Sequence, residues 1–137
     1  MARPYLGGSS GGVKAVSADV TLQIADSGKT IFMSEGSSAY DITLPAVSNK
    51  GWQAKFILVA SPASNDIDIK AASGDEDKIK GIEFSDADTA SATDSDWDKI
   101  TFSTNGVAGD YVDVISDGTS WYMHIHASAD NSVTQTD

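Results

Sequence analysis

"GDYVDVISDGTSWYMHIH", residues 109–126, decides the fold. On both sides of Asp117-Gly118 apolar residues alternate with polar ones, the period of a half-buried strand rather than of a helix. Asp-Gly is a strong hairpin signal, because both central positions of a type I′ turn need positive φ, which Asp tolerates and Gly adopts freely. A two-residue loop sets Val114 opposite Trp121 and Val112 opposite Met123, on a core face that Ile125 continues. Tyr111, Asp113, Tyr122, His124 and His126 then fall on the outer face, with His124 opposite Tyr111 and Tyr122 opposite Asp113.

The two histidines are the first candidates for chemistry. One residue apart on a strand face, their Cα atoms lie about 7 Å from each other, close enough for both imidazoles to reach one zinc ion. A zinc site needs a third and usually a fourth ligand, and a chain with two His and no Cys must find them among carboxylates or water. No metal is therefore expected. The residues read instead as an outer face of hydrogen-bonding aromatics that meets a neighbouring subunit.

The same two-residue period extends outward from the hairpin. Val20, Leu22 and Ile24 alternate ahead of "DSGK", which predicts a hairpin into "TIFMS". Tyr40, Ile42 and Leu44 form a run stopped by Pro45, which cannot donate to a central ladder. Ala54, Phe56, Leu58 and Ala60 share one face while Ile57 and Val59 fill the other, so this strand is expected to be central or at an interface. Ile67 and Ile69 follow, then Ile79, Ile82 and Phe84 around Gly81, where broken alternation predicts a bulge. The acidic stretch 85–96, "SDADTASATDSD", reads as a loop before Trp97, Ile100 and Phe102. About ten short strands and no helix predict an all-β domain, an antiparallel sandwich, jelly roll or barrel. Its expected limits are 19–127, between an extended arm over 1–18 and a polar tail over 128–137.

Composition narrows the function. A chain of 137 residues with 40% hydrophobic content suits one domain. Twenty acidic residues against nine basic ones give a formal charge of −11, which repels phosphate backbones and argues against nucleic acid as a partner. No apolar run approaches the roughly 20 residues that cross a bilayer, so no membrane partner is expected. "MARPYLGGSSGG" carries one arginine and no apolar stretch, unlike a secretory signal. Without cysteine there is no disulfide framework or thiolate centre, and a small domain then gains from associating with copies of itself.

Other chemistry finds little support. Counted from Asp86, the sixth and twelfth positions of a calcium loop hold Ser91 and Trp97 where the EF-hand needs Gly and Glu. G-x-S-x-G spacing occurs only within the linker-like "GGSSGG" at 7–12, with no predicted strand before it to make a nucleophile elbow, and Walker-A spacing is absent. A metal-dependent hydrolase would have to be built around the histidine pair alone. A sugar-binding module would need projecting aromatics, and of the three tryptophans only Trp52, in "NKGWQ", is expected to project. No cofactor and no catalytic residue is predicted.

Two segments, "AYDITLPAVSNKGWQAKFILV" (39–59) and "GDYVDVISDGTSWYMH" (109–124), resemble small β-rich virion proteins of tailed bacteriophages, especially marine and cyanobacterial ones. The shared format is an alternating strand ending in Leu-Pro, a glycine before a long apolar strand, and a Gly-Asp start to a hairpin closing on Asp-Gly then Trp-Tyr. The resemblance implies a non-enzymatic decoration or cement protein on the outer capsid surface, assembled in the host cytoplasm, commonly a trimer, with the major capsid protein as partner. Tail-fibre or receptor-binding modules share the format and are the alternative. Contacts with capsid or neighbouring subunits are expected from Arg3, Pro4, Tyr5 and Leu6 in the arm, and from Phe56, Tyr111, Tyr122, His124 and His126.

Overall fold

Short strands with apolar side chains on alternate positions bury one face and need a second layer to cover it. The computed structural model, which describes residues 12–85 and 88–137, supplies that layer as two sheets and contains no α-helix among the described residues. The strands are β1 (Val13–Val16), β2 (Val20–Thr21), β3 (Thr30–Met33), β4 (Tyr40–Thr43), β5 (Gln53–Leu58), β6 (Ile67–Lys70), β7 (Ile79–Ser85), β8 (Asp88–Trp97), β9 (Lys99–Phe102), β10 (Tyr111–Ser116), β11 (Trp121–Ala127) and β12 (Val133–Thr136). One sheet has the order β1-β3-β5-β10-β11-β7-β8 and the other β12-β9-β6-β4-β2. The all-β expectation holds.

The pairing is mixed rather than antiparallel throughout. From β1 to β6 the chain alternates between sheets, so β1, β3 and β5 pair in parallel on one side and β2, β4 and β6 in parallel on the other. These six strands wind as a two-layer coil. The hairpin expected between Val20 and "TIFMS" is accordingly replaced by a sheet change: β2 and β3 lie in opposite layers, joined by a 3-10 turn at Ile24–Asp26. In that turn Ile24 leaves the alternation and is exposed. Antiparallel pairing returns with β5/β10 and the β10/β11 hairpin.

Three further expectations change. Of the expected loop over 85–96, residue 85 ends β7 and residues 88–96 lie in β8, which pairs along β7, while 86 and 87 lie outside the described residues; an edge strand is held by backbone hydrogen bonds and needs no apolar alternation. Residues 13–16 of the expected arm form β1, and residues 133–136 of the expected tail form β12 against β9. Each of these two segments gains backbone pairing at a sheet edge. The bulge expected at Gly81 is present as register shifts between β7 and β8.

Inward side chains from both sheets meet in one hydrophobic cluster that includes Ile31, Ile42, Phe56, Leu58, Ile69, Phe102, Val112 and Met123. Trp52, Trp97 and Trp121 are all buried. Trp52 does not project as expected: its indole N–H donates to the Gln23 carbonyl at 3.0 Å and its ring meets Trp121 edge-on, centroids 5.5 Å apart. Gly81 lets β7 pass under Trp97, since a Cβ there would stand 2.8 Å from the Met123 carbonyl oxygen and from the Trp97 ring.

Candidate functional site

The hairpin that carries the histidines has the predicted faces and a different register. Val112, Val114, Trp121, Met123 and Ile125 are buried, as expected from alternation. The strands, however, pair Ser116 with Trp121 and Val114 with Met123, leaving four residues in the loop instead of two. His126 therefore lies opposite Tyr111, and His124 opposite Asp113. The Asp117 carboxylate is responsible: it accepts the N–H groups of Thr119 and Ser120, both at 2.8 Å, which favours a wider turn over a type I′ one. Those Ser120 and Thr119 donors hold the Asp117 carboxyl below the usual carboxylate range. Gly118, at φ +95°, supplies the left-handed residue. Slippage by two preserves which side chains face out, because the side-chain period is also two.

Across the outer face of the seven-stranded sheet, backbone registry aligns Phe32, Ile57, Tyr111, His126 and Phe84 on five consecutive strands. His126 is stacked between Tyr111, at 4.4 Å and 13°, and Phe84, at 5.2 Å and 18°. Lys55 closes the row from one side, its Nζ 4.2 Å above the Tyr111 ring and 3.5 Å from Asp113 Oδ1. Phe84 is 45% exposed and Phe32 36%. A ring stack of this kind is favourable through offset aromatic contact and a cation over the ring face.

The row flanks two concavities. One, about 380 Å³, is bordered by Phe84, Val107, Tyr111 and His126. The other, about 420 Å³, opens at the opposite end of the face between Thr30, Gln53, Lys55, Ile115, Tyr122 and His124. Among the described residues, no group of three or more His, Asp or Glu is placed to hold a metal ion. The histidines have different surroundings: His126 belongs to the ring stack, whereas His124 is exposed between Asp113 and Ile82 on neighbouring strands. The arrangement suits adhesion by apolar burial with a polar border.

Of the predicted contact residues, Tyr111, Tyr122, His124 and His126 share this outer face. Phe56 does not: it is 0% exposed in the core, so the outward residue of its strand at this level is its neighbour Ile57. Arg3, Pro4, Tyr5 and Leu6 lie outside the described residues, as does Asp86. Sequence reasoning missed Phe32, which stands between the buried Ile31 and Met33 in "TIFM" and by parity must face out. It also placed Phe84 with the apolar residues of β7 without separating its face. The signal for both was the parity of each strand, readable once one inward residue is known. No family model, no curated protein and no solved structure matches the chain.

Proposed function

We propose that this protein is a structural virion component of a tailed phage, a head decoration protein that binds the outer capsid surface and cements neighbouring major capsid subunits. The observation that carries this reading is the row Phe32, Ile57, Tyr111, His126 and Phe84 on one face of the sandwich, largely aromatic, exposed at its two ends and half-buried between them. Contiguous exposed apolar surface bordered by polar groups is the mark of an interaction surface. The two sequence segments that resemble phage virion proteins both contribute to that sheet, through β5 and the β10/β11 hairpin. In this reading the domain assembles as a homotrimer, which stabilises each copy by mass action, and no catalytic step is involved.

Light scattering of the purified protein, followed by titration onto tailed-phage capsids stripped of accessory proteins, tests the proposal. Trimers that saturate the capsid surface are expected; absence of saturable capsid binding would overturn it. The alternative, a receptor- or carbohydrate-binding tail module, draws on the same exposed ring stack beside Asp113. Retention on a glycan array without capsid binding selects that alternative.

A further inference from the structure

At the end of the outer face away from the ring stack, the 420 Å³ concavity crosses β5, β10 and β11. Strand registry orders its lining into two rows: Gln53, Ile115 and Tyr122 stand side by side, and Lys55, Asp113 and His124 stand side by side next to them on the same face. The first row supplies apolar surface, for Ile115 is 45% and Tyr122 41% exposed. The second supplies a cation, a carboxylate and an imidazole, with Lys55 Nζ 3.5 Å from Asp113 Oδ1 and both side chains partly exposed. The Tyr122 side chain has a hydrogen-bond partner in the Asp117 carboxylate of the adjoining turn, which holds the ring at the border of the concavity.

Backbone pairing and charge restrict the occupant. Each of β5, β10 and β11 is paired on both sides, so a peptide cannot be added there as a strand and recognition falls to side chains. The two lysines of the lining are each engaged by a carboxylate, Lys55 by Asp113 and Lys29 by Asp26, in a chain of net charge −11. A phosphate, sulfate or carboxylate ligand is therefore disfavoured. What remains is apolar surface beside groups that donate and accept hydrogen bonds, which matches a molecule with C–H faces and hydroxyl edges.

We propose that this concavity is a binding site for a neutral saccharide, with a sugar ring laid on Tyr122 beside Ile115 and its hydroxyls hydrogen-bonded to Gln53, Asp113 and His124. The volume, about 420 Å³, falls within the range of small-molecule sites, roughly 300–1,000 Å³. Tyr122 takes the platform role that the buried Trp52 cannot fill. The site lies at the opposite end of the face from Phe84 and His126 and goes beyond the capsid-binding reading, which does not require it.

Titration of the isotope-labelled full chain with sugars, followed by amide chemical shifts, tests the site without any capsid present, so its failure leaves the capsid reading to its own experiment. The neutral probes are maltose, cellobiose, lactose and chitobiose; the acidic probes are sialyllactose and a uronic-acid disaccharide. At least one neutral sugar should give saturable shifts centred on Gln53, Asp113, Ile115 and Tyr122, and no acidic sugar should match it. Tyr122→Ala and Asp113→Ala should each weaken that sugar roughly tenfold or more, while Thr134→Lys, at an exposed position on the other sheet, should leave it unchanged. The amide spectrum of each variant separates loss of binding from loss of folding. Absence of saturable shifts with every neutral sugar overturns the proposal, as does undiminished binding by folded Tyr122→Ala. Equal binding of an acidic sugar overturns the neutral assignment, and shifts centred on Tyr111, His126 and Phe84 overturn the seat.

Discussion

On the five-stranded sheet, the outward side chains answer one another. Lys70 pairs with Asp41, Lys99 stands 2.6 Å from Asp68, and the Thr101 hydroxyl donates to the same Asp68 at 2.6 Å. On the seven-stranded sheet, the outward positions hold Phe32, Ile57, Tyr111, His126 and Phe84, with Lys55 and Asp113 beside them. Both sheets spend their inward positions on the same core. The polar grid completes its own hydrogen bonding and leaves that face content in water. The aromatic row retains apolar surface whose burial still has free energy to release, at roughly 25 cal/mol per Å². That difference, more than any titratable group, distinguishes the two faces.

Interrupting the shared core has the largest expected effect on this comparison. Phe56→Ala should lower unfolding free energy by about 3–5 kcal/mol in urea titrations, whereas Ile57→Ala, one residue away on the outer row, should cost less than about 1 kcal/mol. Equal losses would mean that the row is structural rather than available.

Next in size is the turn that carries the chain from one sheet to the other. Burial alone would raise the Asp26 carboxyl, but the Gln23 backbone N–H, then Lys29 and Lys14, outweigh it and hold it down at about 2. Lys29 and Lys14 stand at 2.8 and 3.0 Å. The folded value lies below the ordinary 3.8. Its stabilisation, about 2 kcal/mol, is therefore complete above about pH 5 and is lost as pH falls through 4 toward 2. Asp26→Asn should remove about that much at pH 7 and flatten the stability profile over the same acid window, measured by denaturant midpoints at successive pH values.

On the proposed capsid-binding reading, the two faces separate in binding. Phe84→Lys should weaken association with stripped capsids at least tenfold, about 1.4 kcal/mol, with little change in folding; Thr134→Lys on the polar sheet should leave association unchanged. The smallest effect is expected within the polar grid. The Asp68 hydrogen bond to Lys99 raises the lysine above its usual range, yet both groups are partly solvated, so Lys99→Ala should cost below about 1 kcal/mol and less still in high salt.

Much of this contrast was legible before any coordinates. Alternation identified the buried set around Val112, Val114, Trp121, Met123 and Ile125, and placed both histidines outside. It failed where local chemistry competes with pattern. Asp117 prefers capping two backbone N–H groups to occupying a two-residue turn, so each histidine acquired a different cross-strand partner. Trp52 followed the same logic in reverse: a turn-like setting suggested exposure, but the Gln23 carbonyl and the Trp121 ring gave both its polar and apolar parts a buried partner.

By itself, the sequence determined that this is a β domain and which side of most strands faces inward. These follow from a period of two and from composition, which are properties of the chain alone. Only the tertiary structure decided that the first six strands coil between two sheets, that β8 and β12 pair at edges, and that five separated residues, Phe32, Ile57, Tyr111, His126 and Phe84, line up as one row. Strand order is set by which distant segments find each other, and the free energy of such pairing is absent from any local stretch of sequence.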